Sequence, residues 1–179
     1  MCHLSVSIRR STYSAVFRCI SLIASDIAKM RVKLVRLTEA GVWEETENPA
    51  FSPVLRKPNR WQTHIQFFAN WVESKLVFGN AYIRKERDAR NVVTRLSVLD
   101  PQRVTVLVAP DSSVYYELRT DHLAGLQTES VTVPASEIIH DRFNTFNHPL
   151  VGISPISACS LAVAQGISIQ QSSAKFFMN

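Results

Sequence analysis

Between Thr63 and Glu86 the chain reads THIQFFANWVESKLVFGNAYIRKE, and its apolar spacing changes once, from helical to alternating, at Gly79-Asn80. A change of period at a Gly-Asn pair dictates a helix that stops and a strand that leaves it. Thr63 and Gln66 stand in capping-box spacing, which satisfies orphan N–H groups at the helix start. Ile65, Phe68, Ala69, Val72 and Leu76 recur at helical intervals and predict one buried face. Gly79 falls where a left-handed C′ residue is wanted, a position at which a Cβ costs about 1 kcal/mol. Gly79-Asn80 is thus the helix stop, and the strand that leaves it is Ala81–Glu86.

The flanking sequence is organised around this junction. Val16, Cys19, Ile20, Ile23, Ile27 and Met30 lie on one helical stripe, with Thr12 or Ser14 as N-cap. Arg31–Leu37 alternates, with Val32, Leu34 and Arg36 on one face and Val35 and Leu37 on the other, and predicts a strand. The stretch 38–53 reads as loop, with a short hairpin around Gly41 and turn-forming prolines at its end. Val92–Leu99 returns as the second strand of a hairpin and closes on Asp100-Pro101, whose carboxylate reads as turn chemistry. Two alternating runs flank Pro110–Ser113, and further short strands follow, with Pro134 marking an edge or a strand end. Strands that cluster instead of alternating with helices make this an α+β fold.

A last helix is predicted from Ser154 as N-cap and Pro155 at N1, where a missing N–H costs nothing. Ile156, Cys159, Val163 and Ile167 then share a stripe, widened by Leu161, Ala162 and Ile169. Phe143–Ala174 contains no Asp, Glu, Lys or Arg, yet Ser, Gln and Pro interrupt it, so a shielded helix is expected in preference to a membrane span.

Several chemistries are excluded or weakened. The five glycines are too far apart for a phosphate-cradling loop. Cys2, Cys19 and Cys159 are odd in number and widely separated, which argues against a disulfide framework and for a reducing compartment. No HxxxH, HExxH or GxSxG pattern occurs, and no cofactor is expected. His140-Asp141 resembles a metal-dependent hydrolase pair, but neighbours on a strand point to opposite faces. A net charge of +5 suits contact with a polyanion, although the basic residues are scattered. Trp61, Phe67, Phe68, Trp71 and Phe78 cluster without interleaved cations, which favours a core or subunit interface over base stacking.

Five stretches in order resemble the phage portal proteins, the head–tail connectors of long-tailed double-stranded-DNA phages. They are AVFRCISLIASDIAKMRVKLV; Pro58-Asn59 to Thr63 running into Gly79-Asn80-Ala81-Tyr82; LSVLDPQRVTV; EIIHDRF with Gly152-Ile153-Ser154-Pro155; and the closing Phe176-Phe177-Met178-Asn179. The resemblance implies a wing domain over residues 1–150 and the start of a stem helix over 151–179. Family members are about twice as long and continue into a clip, the rest of the stem and a crown, so the chain reads as a fragment, a truncated gene or an incompletely given product.

The resemblance further implies a homo-oligomeric, dodecameric ring at one capsid vertex of the virion, assembled in the bacterial host cytoplasm. Its implied partners are the terminase large subunit, the major capsid protein or scaffold, a head-completion adaptor and double-stranded DNA passing through non-specifically, with no membrane. Gly79, Asn80, Tyr82, Asp100, Pro101, Gly152, Ser154 and Pro155 are then structural motif positions. Ile156, Cys159, Val163 and Ile167 become candidate subunit contacts, and Gln165, Gln170 and Gln171 candidate channel-facing residues. Such a protein is not an enzyme. Two other readings stand beside it: a small phage hydrolase using His140 and Asp141, and a monomeric adaptor sharing the wing architecture.

Overall fold

The protein is described by a computed structural model over residues 14–121 and 126–178. Helix α1, Ser14–Ala28, leads to a hairpin of β1, Val35–Leu37, and β2, Trp43–Glu45, which turns through Gly41 at φ 76°. Thr12 lies outside the described residues, and Ser14 is already the first helical residue rather than a cap. Of Arg31–Leu37 only the last three residues pair as strand. The stretch expected to be loop up to Pro53 ends in a short helix, α2, Ser52–Arg56. Proline is tolerated in its first turn because no intrahelical donor is needed there.

The long helix α3, His64–Phe78, starts with Thr63 and Gln66 in a reciprocal capping box and stops at Gly79, φ 78° and ψ −9°. It buries two faces rather than one. Phe67, Trp71 and Ser74 sit on the side facing the first sheet, with Phe67 fully buried. Leu76, on the opposite side, meets α1 residues and the start of the last helix, while Ile65 stays exposed. The sequence stripe took in Leu76 on the second face and Phe68, which packs on the first-sheet cluster, but missed Phe67 and Trp71. In α1, likewise, the buried positions are Ala24 and Ala28, whose small side chains let it approach α3, whereas Ile23, Ile27 and Met30 remain exposed.

The first sheet has the order β4-β3-β8, all antiparallel, from β3 (Asn80–Arg87), β4 (Val93–Leu99) and β8 (Ile138–Arg142). The second is β5-β6-β7, from Val104–Val108, Val114–Asp121 and Leu126–Pro134. Pro134 ends an edge strand, where a missing N–H breaks no ladder. Alternation along β3 ties the layers together. Ala81 and Ile83 face α3 with Phe67, and Tyr82 faces the second sheet with Leu99, Tyr116, Leu118, Leu126 and Ile138. Each fully buried side chain of this size contributes about 1.5–3 kcal/mol, so the central strand anchors both cores. The result is the expected α+β class, arranged as helix, sheet and sheet.

After β8 a hairpin not foreseen from sequence, β9 (Asn144–His148) with β10 (Val151–Ile153), precedes α4, Pro155–Ala158, and α5, Ser160–Met178. Two expectations change here. A division at residue 150 would fall inside this hairpin. The last helix is also not continuous, because Cys159 leaves helical geometry at φ −95° and ψ 9°.

Candidate functional site

The chain path is set where α3 ends, and four of the motif positions meet there. Three carbonyls of the last turn find a donor: the Gly79 N–H donates to Lys75 O at 2.9 Å, the Ser154 hydroxyl to Leu76 O at 2.7 Å, and the Asn80 amide to Phe78 O at 3.3 Å. Gly79 O accepts from the Phe143 N–H at 2.8 Å. The backbones of Gly79 and Gly152 cross so closely that a Cβ on Gly152 would overlap the Gly79 carbonyl. A Cβ on Gly79 would lie 2.6 Å from the Ser154 nitrogen. Gly79 therefore serves both a left-handed cap and a backbone crossing.

Asn80 locks that crossing. Its Nδ2 donates to Gly152 O at 3.1 Å, and its Oδ1 accepts from the Gly152 N–H at 2.8 Å. With that oxygen an acceptor, the His140 contact at 3.1 Å requires His140 Nε2 to carry the proton. His140 Nδ1 is then free to accept from the Tyr116 hydroxyl, 3.1 Å away. The ring also stacks on Tyr82, centroids 4.3 Å apart. Burial first, and then the Arg142 charge, push the His140 pKa down to about 4, so the ring is neutral at pH 7. Burial raises Tyr82 to about 12.

Asp141 points the other way. It accepts from Trp71 Nε1 at 2.9 Å and from Lys75 Nζ at 2.7 Å, pinning the C-terminal half of α3 to β8. His140 and Asp141 thus serve opposite faces of one strand and share no site. Among the described residues no group of three or more His, Cys, Asp or Glu could hold a metal ion. Asp100 caps a turn by accepting from the Gln102 N–H at 3.0 Å, and Pro101 follows it in the link between the two sheets. Neither joins the junction.

Ser154 completes the assembly by capping α4 through the Ile156 N–H, 3.1 Å away, with Pro155 next in the helix. Beyond it, Leu76, Pro155, Ile156, Cys159 and Val163 face Val16, Cys19, Ile20 and Ile23 of α1 across an apolar groove of about 290 Å³. Of the expected subunit-contact stripe, Ile156 and Val163 are 8% and 7% exposed within this chain, so they pack internally. Cys159 is exposed and Ile167 half-buried. The large apolar residues that α5 exposes are instead Leu161 and Ile169, with Phe176, Phe177 and Met178 at its end. Gln165, Gln170 and Gln171 are exposed, but at 3.6 residues per turn they point to different sides of the helix.

Residues 14–179 match the phage portal protein family. The chain belongs to that family. Among curated relatives, the portal protein of Enterobacteria phage HK97 is 24% identical over 168 residues, 93% of this chain and 38% of that protein. An uncharacterised protein of Rickettsia felis is 25% identical over 151 residues, 83% of this chain and 37% of its own length. The portal chain thus spans well under half of the relatives it matches.

Its fold recurs in a chain from the neck of an empty GTA particle computed with C6 symmetry, with TM-score 0.77, 20% identity, and coverage of 97% of this chain and 45% of that one. A chain from the neck of a native GTA particle computed with C12 symmetry gives 0.76, 19%, 99% and 46%. No helix among the described residues of the portal chain is long and apolar enough to cross a membrane.

Sequence reasoning missed the Asn80–Gly152 amide pair, the Asn80–His140–Tyr116 chain and the Trp71–Asp141–Lys75 cluster. The partners lie 24 to 72 residues apart and share no periodicity that could have revealed them.

Proposed function

We propose that this chain is the N-terminal part of a portal subunit, a head–tail connector that forms a ring at the capsid vertex through which double-stranded DNA is packaged and ejected. The observation that carries this reading is the family match over residues 14–179, supported by the fold shared with chains from virion necks. The three-layer body up to Ser154 is the peripheral wing, and α4–α5 begin the stem. The expected stoichiometry is a dodecamer. Its partners are the terminase large subunit, capsid or scaffold protein and a head-completion adaptor.

The exposed, uncharged surface of α5 before Lys175 suits contact between neighbouring subunits, with Leu161 and Ile169 as the apolar groups to be covered. Because its glutamines point to different sides of the helix, only part of that set is proposed to meet the wet channel, without gripping DNA by charge. The chain performs no catalysis in this reading. Native mass measurement on the intact gene product tests it: a species of about twelve subunits is expected, and a strict monomer at all concentrations overturns it.

A further inference from the structure

The β1–β2 hairpin lacks the support that a hairpin needs. Two strands alone are marginal in water and require a third strand, or a helix against one face. Here all three residues of each strand are exposed. The register sets Leu37 opposite Trp43 and Val35 opposite Glu45, with Arg36 and Glu44 paired between them. Side chains alternate along a strand, so Val35, Leu37 and Trp43 share one face. They are 44%, 52% and 65% exposed. The acid on that face, Glu45, is already paired with Lys33 at 2.6 Å. The hairpin therefore carries an apolar face, without unpaired charge, that the described residues leave largely open.

A complementary seat is open on the same chain. The groove of about 290 Å³ between α1 and the α4–α5 junction has Val16, Cys19 and Ile23 on one wall and Ile156, Cys159 and Val163 on the other. Among the described residues its lining carries neither a charge nor an amide side chain. Ile23 is partly exposed, and both thiols are free and exposed, so the groove is accessible. A polar guest would give up hydrogen bonds to water there with no replacement. An indole flanked by leucine and valine gives up little, because its single N–H sits at the ring edge, and it brings a large apolar area.

The occupant that fits is a second copy of the chain. Within one chain the hairpin face and the groove both stay open. A closed ring requires a heterologous contact, in which one surface of each subunit meets a different surface of the next. A protruding apolar hairpin and a recessed apolar groove on the same chain form such a pair. The exposed Trp61 is a poorer seat, because Lys57 and Arg60 flank it and an uncharged face would desolvate them without compensation. We propose that the β1–β2 hairpin of one subunit docks its Val35, Leu37 and Trp43 face in the α1/α4–α5 groove of the next, with Trp43 as the anchor. The inference rests on the ring reading but fails separately from it: rings that form without this contact overturn the docking alone.

Cross-linking in the intact gene product tests the inference. Protein carrying Leu37→Cys with Cys19→Ser and Cys159→Ser has a hairpin thiol but neither groove thiol. It is assembled together with protein of native sequence, which has the groove thiols alone. A short bismaleimide should join position 37 of the first to Cys19 or Cys159 of the second, read by mass spectrometry of the linked peptides. Trp43→Ser and, separately, Ile23→Glu alter exposed residues, so each should melt like the native protein. Each should raise the concentration for half-assembly at least about tenfold. The cross-link keeps Trp43 and Ile23 native and so guards against a local change in fold. Rings that form with no such linked peptide, or Trp43→Ser rings at the native concentration, overturn the docking. So does linkage of position 37 to Cys19 within a single chain, in Leu37→Cys diluted below assembly, since the hairpin would then fill its own groove. A native protein that never assembles overturns the ring reading as well.

Discussion

Gly152 and His140 carry the sharpest consequences at the residue scale. A methyl group at Gly152 meets the Gly79 backbone, which cannot rotate away as a side chain could. Gly152→Ala should therefore cost about 3 kcal/mol or more in chemical denaturation. Gly41→Ala is the matched control. It has φ 76° but nothing within 4 Å of an added Cβ, so only the left-handed penalty of about 1 kcal/mol applies.

His140 sets a pH dependence whose sign follows from its environment. The folded protein holds the ring neutral with a pKa near 4, against 6.5 when unfolded. Protonation therefore favours the unfolded chain. The contribution is fully present above pH 6.5 and is lost as pH falls towards 4. Discounted for the half-exposed ring, the loss should be about 1–2 kcal/mol. His140→Gln should flatten that limb of the stability–pH curve, and an unchanged limb would show that His140 is not its source.

Among the elements, α3 is the one most fully legible in advance. Its capping box, its left-handed stop and the strand after it follow from local chemistry at Thr63, Gln66, Gly79 and Asn80, where the partners are at most a few residues apart. Thr63→Ala should accordingly cost about 1 kcal/mol in thermal melting. The sides it buries were harder to read, because α3 is sandwiched. Phe67 and Leu76 both go inside on opposite sides, and no single stripe describes that.

The terminal helix shows the converse. Its cap at Ser154-Pro155 was plain from sequence, but the break at Cys159 was not. The inward position of Val163 also depends on where α1 lies, which no local pattern encodes. Before the terminal Phe176–Met178 the large apolar groups left for a neighbour are Leu161 and Ile169, so the double substitution Leu161→Glu, Ile169→Glu should leave the chain's melting temperature within about 2 °C. It should abolish assembly of the intact gene product. Val163→Glu, by contrast, buries a carboxylate in the apolar groove and should loosen α5 within the chain itself. If the exposed pair tolerates charge and rings still form, the neighbour contact lies elsewhere.

For the whole molecule, two sheets and α3 make a body on which α5 stands with nearly all of its surface open. At 1.5 Å per residue that helix is about 28 Å long, so a monomer in solution should exceed the ~16 Å radius of gyration of a compact chain of this length. Small-angle scattering at the compact value would mean that α5 folds back. His140 and Asp141, on opposite faces of β8, should support no metal-dependent phosphodiesterase activity, and their joint alanine substitution should alter stability alone. The central claim concerns assembly, and negative-stain imaging of the intact gene product reads it most directly. Rings with a central hole, about twelve subunits around and lost in the Leu161→Glu, Ile169→Glu variant, are the predicted result; a folded wild-type protein that stays as single particles without a hole at every concentration would contradict it.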